Sequence, residues 1–384
     1  MTLWGYRRQD GKVGFRNHVV VMAAVNCANV AVQKIAERLP GVVALTHHSG
    51  CAMLDASQVT NTLVGAGSNP NVHAVLVVGL GCEQVAAQTV AEGIAASGKP
   101  VEALIIQELG GESRTVEKGV PIVAKWLAAA RGQEREQCSL ADLVLASECG
   151  GSDATSGLAS NPVMGWVADR LIAQGGAVVL SETMELMGAE HLLARRAVNP
   201  EVARQLVDMV AALERDIPDA NPNSPCGQPA PGNIVGGITT IEEKSLGCVY
   251  KAGTAPVQGV LAYAQAVPNN GLYVMDTPGQ DIYSVTGMVA GGAQIVVFST
   301  GRGSPLGSAL APVIKVTGNA RTALTMAEHI DFSAAPLIDG TATVDELGSE
   351  LFKMLVDVAN GSPTASERTG HLDFAPYEGR GPIL

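Results

Sequence analysis

The sequence predicts an α/β protein of two domains, with mainly parallel sheets flanked by helices and an active site at the C-terminal edges of the strands. Three observations lead there. Short apolar runs alternate with longer segments whose apolar residues recur at helical spacing. The runs are rich in Val, Leu and Ile on both faces, as strands covered on both sides require. Polar, thiol and glycine residues gather just beyond the runs, where an open parallel sheet binds ligands. The 384 residues allow two or three domains, and 47% hydrophobic against 16% charged residues supply a large core.

Taken in order, His18–Val25, Val42–Thr46, Ala74–Gly79 and Val101–Ile106 read as strands, followed by Asp142–Ser147 and Ala177–Ser181. Between them Ala28–Arg38, Gln84–Ser97, Arg114–Ala130 and Pro162–Ala173 carry apolar residues at helical spacing. Gly259–Tyr263, Leu272–Asp276, Gln294–Ser299 and Val313–Thr317 repeat the strand pattern. Arg131–Ser139 (RGQEREQCS) is polar and reads as a linker. Ile217–Asn233 holds Pro218, Pro222, Pro225, Pro229 and Pro231 and reads as irregular.

Composition excludes several functions. Lys and Arg number 25 against 37 Asp and Glu, a net charge of −12, which disfavours a nucleic-acid partner. The longest apolar run, Val19–Val25, falls far short of the roughly 18–20 residues of a membrane span. No basic segment followed by an apolar one opens the chain. Seven cysteines, an odd number in a long chain, suggest buried thiols or metal ligands over a disulfide framework.

The segments after the strands carry the chemistry. Asn26-Cys27, His47-His48-Ser49-Gly50-Cys51, Leu80-Gly81-Cys82-Glu83, Glu148-Cys149-Gly150-Gly151-Ser152-Asp153, Glu182-Thr183 and Thr300-Gly301-Arg302-Gly303 all follow apolar runs. Cys51, Cys82 and Cys149 are candidate ligands for one soft or borderline metal at a shared rim, with an open position for substrate. The plainer alternative is that free cysteines are commonly buried. His47 is a candidate proton-transfer group, and Glu83 stands beside Cys82. Two glycine-rich loops offer anion binding: one runs from Asn233 to Lys244-Ser245, the other spans Thr300 to Ser304 around Arg302. Glu182, Glu185 and Glu190 are general-base or metal candidates, although acids also favour helix starts. Gly79-Leu80-Gly81 invites a nicotinamide oxidoreductase reading. The third glycine position is Gln84, however, and Glu102 opens the next strand instead of closing it.

Ordered blocks then point to a family. They are GYRRQDGKVGFRN (Gly5–Asn17), His47-x-x-Gly50-Cys51, GLGCE (Gly79–Glu83), QELGG (Gln107–Gly111), ECGGSDATSG (Glu148–Gly157) and SETMELMGAE (Ser181–Glu190). PGN (Pro231–Asn233), GGITTIEEKSLG (Gly236–Gly247), MDTPG (Met275–Gly279) and STGRGSPLG (Ser299–Gly307) complete the series. From Gly5 to about Gly340 the chain resembles the altronate/galactarate dehydratase family, to which the large subunit of (2R)-sulfolactate sulfo-lyase is closely related.

The resemblance implies a cytoplasmic, metal-dependent hydro-lyase that removes water from a sugar acid or related 2-hydroxy carboxylate to give a 2-keto-3-deoxy acid. The alternative within the family is a sulfo-lyase large subunit that releases sulfite from sulfolactate. It divides the chain into a second-domain type at 1–137 and a C-terminal-domain type at 138–384. The expected cofactor is Fe2+, as a lone ion or as an iron–sulfur cluster with three cysteine ligands, or else Mn2+. The expected metal ligands are Cys51, Cys82 and Cys149, and the expected catalytic residues His47, Glu83 and Lys244. Substrate binding is expected from Arg16, Asn17, Asn26, Ser152, Asp153, Asn233, Lys244, Ser245, Thr300 and Arg302. The dehydratases carry a small SAF-type domain ahead of this region, so a separate small SAF-type subunit is an expected partner, alongside homo-oligomerisation. Asp331–Ile338 (DFSAAPLI) and Thr317–Ala320 (TGNA) depart from the family's wording near the anion loops.

Overall fold

The computed structural model describes residues 2–53, 55–217 and 227–379. It contains three sheets. Strands β1 (Leu3–Arg7) and β2 (Val13–Gly14) form a small antiparallel sheet with β7 (Glu136–Cys138). Strands β3 (His18–Ala23), β4 (Val42–Leu45), β5 (Val72–Gly79) and β6 (Val101–Ile105) form a parallel sheet in the order β4-β3-β5-β6.

The larger sheet is also parallel. It takes β8 (Val144–Cys149), β9 (Ala177–Leu180), β10 (Val257–Leu261), β11 (Gly271–Met275), β12 (Ile295–Ser299), β13 (Val313–Thr317) and β14 (Phe332–Ser333). Their order is β10-β11-β9-β8-β12-β13-β14.

Alternation along the strands sets the layers, because successive side chains point to opposite faces. Val19, Val21, Leu76 and Val78 face the helices at Asn29–Glu37 and Glu112–Gly132. Val20, Met22, Val75 and Val77 face the opposite way, onto the helices at Ala56–Ser68, Ala87–Ala95 and Asp281–Ala290. Those helices also meet Ala146, Val179, Val296 and Phe298 of the larger sheet. Its other face, with Leu145, Leu180, Ile295 and Ile314, is covered by Asn161–Ala173, Pro200–Asp216 and Val344–Ala359.

The two parallel sheets point the same way. The helices Ala56–Ser68 and Asp281–Ala290 each leave the C-terminal side of a sheet and run side by side. Their starts share Tyr377, whose carbonyl accepts from Gln58 Nε2 at 3.0 Å and whose ring lies 5.7 Å from that of Tyr283. At their far ends, a Cβ on Gly65 would come within 2.4 Å of the Ala290 carbonyl oxygen, so glycine permits that approach. At the opposite end of the strands Asn71, wholly buried, joins the layers. Its Nδ2 donates to Gln294 O and Leu310 O at 2.8 and 2.9 Å, and its Oδ1 accepts from the N–H groups of Phe15 and Arg16.

Two expectations are corrected. Within the presumed linker Arg131–Ser139, Glu136–Cys138 is a strand paired with Leu3–Gly5. Three residues exposed or half-exposed carry no periodicity, and the partner strand lies more than a hundred positions away. Within Ile217–Asn233, Pro218, Pro222 and Pro225 lie outside the described residues. Pro231 instead opens a short helix, Pro231–Val235, where its fixed φ suits the first position. No helix among the described residues is long and apolar enough to cross a membrane.

Replacing Asn71 by Leu would strand two carbonyls and two amide groups in the interior at about 1–3 kcal/mol each. Urea unfolding should show a loss of at least about 3 kcal/mol relative to the parent. A smaller loss would mean that the joint is relieved by water.

Candidate functional site

The titratable groups converge at the C-terminal edge of the larger sheet. Glu148 and Cys149 close β8, and Ser181 and Glu182 follow the adjacent β9. Glu182 adopts φ 66°, a left-handed conformation rare for a residue with a Cβ, and its N–H donates to Thr277 Oγ1 at 2.7 Å. The turn Thr183–Leu186 then brings Glu185 to the same side. Thr240 caps the helix Ile241–Cys248, accepting from Glu243 N–H. Lys244, Cys248 and Lys251 are spaced four and three apart, so one helical face delivers all three.

The centre is dry. Glu148, Cys149, Glu182 and Lys251 are wholly buried, and Glu185, Lys244 and Cys248 nearly so. Lys251 Nζ lies 2.7 Å from Cys149 Sγ and 3.1 Å from Glu182 Oε2. Lys244 Nζ lies 2.6 Å from Glu185 Oε1 and donates to Gln228 Oε1 at 2.9 Å. Glu185 Oε2 accepts from the Cys149 and Cys248 thiols at 2.7 and 2.9 Å. Ser181 and Ser284 hydroxyls both donate to Glu148 Oε2, at 3.0 and 2.5 Å. Glu148 and Glu182 also stand close enough that each shifts the other's titration.

Burial and neighbouring charge separate these acids. Burial raises Glu148 to about 7. Burial, then Glu148 and Glu185, raise Glu182 well above the carboxylate range, so it is the protonated member of the pair. Burial also disfavours ionised Glu185, but Lys244 and then Lys251 bring it down to about 2. Burial opposes charge on Lys251, yet Cys149 and Glu182 keep its ammonium charged. The Cys149 thiol is pushed up by burial and then by Cys248. Close by, burial raises Asp281 to about 7 and lowers Lys315, 3.2 Å over the Phe298 ring, to about 7.

A metal ion fits part of this centre. Ligand atoms of Cys149, Glu185 and Cys248 lie within 4.8 Å of one another, a set of two sulfurs and one carboxylate oxygen suited to a borderline divalent ion. Glu182 Oε1 is buried without a hydrogen-bond partner among the described residues, leaving one acceptor spare. The Lys251 ammonium already neutralises part of the negative charge, so a bound ion would share the centre with it.

The expected site residues fall into several groups. Cys149 and Lys244 belong to the buried centre. Cys51 and Cys82 stand at the edge of the four-stranded sheet, exposed and beside Cys27. The imidazole of His47 is buried between two backbone partners: Nε2 donates to Ala23 O at 2.9 Å and Nδ1 accepts from Ser49 N–H at 3.2 Å. Neither nitrogen is left for a substrate proton, and burial lowers its pKa. Glu83 Oε2 accepts from the N–H groups of Gly81 and Cys82 at 2.7 and 3.0 Å. That carboxylate holds the amides a pyrophosphate would need.

Arg16 and Asn17 are corrected as substrate-binding residues. They precede β3, at the end of the sheet opposite the strand-end loops, and serve as a structural clamp. Arg16 pairs with Glu367 at 2.7 Å and donates to Val358 O, while Asn17 donates to Ala130 O. The remaining residues line the rims. Asn26 is exposed next to Cys27. Asp153 accepts from Thr155 and from Asn319 Nδ2 at 2.8 Å, so the divergent Thr317–Ala320 stretch touches the segment that follows β8. Asn233 donates to Ser152 O, and Thr300 Oγ1 accepts from the N–H groups of Gly303 and Ser304. Arg302 is exposed beside Gly151. The hydroxyls of Ser152 and Ser245 are buried without a partner among the described residues.

Sequence reasoning missed Cys248 and Lys251 as members of the centre. Neither follows a strand; the usable sign was their helical spacing from Lys244.

Two outcomes test this arrangement. Lys251→Met leaves the ionised Glu185 short of a cation in the interior, and should cost about 3–5 kcal/mol in chemical denaturation. Because folded Glu148 keeps its proton longer than the unfolded chain does, its contribution is full below about 4.5 and fades as pH climbs towards 7. Wild-type stability relative to Glu148→Gln should therefore fall by about 2–3 kcal/mol over that window. A difference flat with pH would contradict the assignment.

Comparison with known proteins shows the family. Residues 140–380 match the family described as D-galactarate/altronate dehydratase, C-terminal, and residues 5–131 match D-galactarate dehydratase/altronate hydrolase, second domain. The chain is 38% identical to (2R)-sulfolactate sulfo-lyase subunit beta of Chromohalobacter salexigens, over 97% of this chain and 96% of that protein. It is 34% identical to altronate dehydratase of Bacillus subtilis, over 98% of this chain and 78% of that protein. With altronate dehydratase of Escherichia coli the identity is 36%, over 97% of this chain and 77% of that protein. The chain belongs to the D-galactarate/altronate dehydratase family of lyases.

Proposed function

We propose that the protein is a hydro-lyase that removes water from a small sugar acid, with the Glu148–Glu182 pair handling the protons. The observation that carries this reading is two wholly buried carboxyls on the ends of adjacent strands, Glu148 raised to about 7 and Glu182 well above the carboxylate range. Elimination needs a base for the hydrogen next to the substrate carboxylate and an acid for the departing hydroxyl. Two carboxyls with separated pKa values supply both.

In the forward direction Glu148, ionising near neutrality, takes the α-proton. The electron pair of the broken C–H bond forms the carbon–carbon double bond. The β-hydroxyl leaves with the proton of Glu182 as water, and the enol ketonises to the 2-keto-3-deoxy acid. Lys244 fixes Glu185 beneath the pair, and Arg302 at the rim offers a planar fork to the substrate carboxylate. Iron held by Cys149, Glu185 and Cys248 would supply Lewis-acid polarisation of a substrate oxygen.

A second reading, release of sulfite from sulfolactate, has one specific support: the sulfo-lyase subunit is matched along almost its whole length. The word "subunit" in that relative's name also supports a partner polypeptide for this chain. We assign that role to a small SAF-type subunit.

The test is an anaerobic assay with iron, with and without a co-expressed small SAF-type subunit, on aldonates, aldarates and sulfolactate. It follows 2-keto-3-deoxy acid, pyruvate and sulfite. Keto-deoxy acid without sulfite is expected, with Glu182→Gln lowering kcat about 10²–10⁴-fold. Sulfite and pyruvate from sulfolactate alone would replace this reading with the second.

A further inference from the structure

The MDTPG segment after β11 leads to Asp281, which the elimination described above leaves unused. Asp281 opens the helix Asp281–Ala290 and stands half-buried at the C-terminal edge of the larger sheet. Three strand-end loops meet at its carboxyl. A Cβ on Gly150, after β8, would come within 2.0 Å of Asp281 Oδ2 and 2.7 Å of Phe298 Cζ, so glycine there lets the carboxyl overhang the loop. Ser304, in the loop after β12, donates to the same Oδ2 at 3.5 Å. The loops are braced against each other: Gly150 N–H donates to Ser299 O at 3.0 Å, and Arg302 N–H to Gly151 O at 2.9 Å.

A lysine stands behind this carboxyl. The strand register sets Glu148, Phe298 and Lys315 side by side on β8, β12 and β13, so all three point to one face of the sheet. Lys315 Nζ lies 3.2 Å from the centroid of the Phe298 ring, whose tip meets Gly150 and Asp281. It is wholly buried and has no hydrogen-bond partner among the described residues. Three other acids act on it from a distance, and each is engaged elsewhere. Asp331 accepts from the N–H groups of Lys315 and Ala365, Asp373 from Gly307 N–H, and Glu148 from two serine hydroxyls. Asp281 attracts the lysine most strongly and has bonding capacity to spare. A buried donor with nothing to receive its protons is costly and uncommon in folded chains.

The pair selects its ligand by chemistry. An alcohol hydroxyl donates one hydrogen bond and accepts others, so it can satisfy a carboxylate and a lysine at once. A carboxylate or sulfonate can accept only, and would bring like charge to Asp281. Ser304 offers a further hydroxyl at the same rim. The place also suits the reaction: Ser284, three residues along the same helix from Asp281, donates to Glu148 Oε2 at 2.5 Å. Asp281 therefore stands about one helical turn from the proposed base, where carbons next to the reacting ones would lie.

We propose that Asp281 and Lys315 form a subsite that binds a hydroxyl on the tail of a polyhydroxy acid, so that sugar acids are preferred over acids with a single hydroxyl. This rests on the hydro-lyase reading for the identity of the ligand, but not on which carboxyl is acid or base.

Calorimetric titration of the full chain carrying Glu182→Gln, anaerobic and supplemented with iron, tests it without turnover. The ligands are aldonates, aldarates, sulfolactate and lactate. At least one aldonate or aldarate is expected to bind about tenfold or more tightly than lactate. Adding Asp281→Asn or Lys315→Met should weaken that ligand about 10–100-fold and leave lactate unchanged. Lys315→Met replaces an unpaired buried amine by an apolar chain of similar length, so its melting temperature should not fall. Asp281→Asn, with no change in size, carries the test on its own if the lysine variant does not fold. Tight sugar-acid binding untouched by both substitutions would overturn the subsite and leave the hydro-lyase reading standing. Equal losses for lactate and the sugar acid would also overturn it, as would sugar acids binding no tighter than lactate. Sulfolactate binding more tightly than every aldonate and aldarate would overturn both.

Discussion

The side chain of Asn71 sits where two sheets, a crossing loop and the chain's first segments meet. Two carbonyls and two amides from three places in the sequence depend on that single amide for their hydrogen bonds. Asn69, two residues earlier, does the same for Val289 O and Ala293 O. Because unsatisfied buried backbone groups are costly, these bonds fix how the four-stranded sheet is set against the larger one. The helices Ala56–Ser68 and Asp281–Ala290, in contact through Gly65, then force both sheets to present their C-terminal edges on one side. Everything reactive in the molecule follows from that shared direction.

At the larger sheet the governing problem is desolvation. Three carboxyls and two ammonium groups have been withdrawn from water within a few ångströms of one another. Such a group is tolerable only when its charges are paired and its remaining lone pairs are met. Glu185 is met by Lys244, Lys251 and two thiols, and so remains ionised. Glu182 is wholly buried beside Glu148 and Glu185, and so holds a proton. The same burial thus leaves identical side chains in opposite protonation states.

The thiols divide along the same line. Cys149 and Cys248 are inside, against lysine and glutamate, where a soft donor and a carboxylate share one small volume. Cys27, Cys51 and Cys82 are outside, on loops tied together by main-chain hydrogen bonds. Residues that sequence logic treats as chemical, His47 and Glu83, turn out to spend their polar atoms on those loops.

The sequence by itself determined the class of fold, because strands covered on both faces leave continuous Val, Leu and Ile runs that no other architecture requires. It also determined that chemistry gathers after those runs, and it marked Glu182, Glu185, Cys149 and Lys244 before any coordinates. Only the tertiary structure decided which strand ends share a sheet. It split Cys51 and Cys82 from Cys149, joined them to Cys27, and brought in Cys248 and Lys251 from a helix with no strand before it. It also sent Arg16 and Asn17 to the far ends of the strands. The physical reason is that local periodicity records which face of an element is buried, whereas sheet order and loop convergence are set by contacts between residues a hundred or more positions apart.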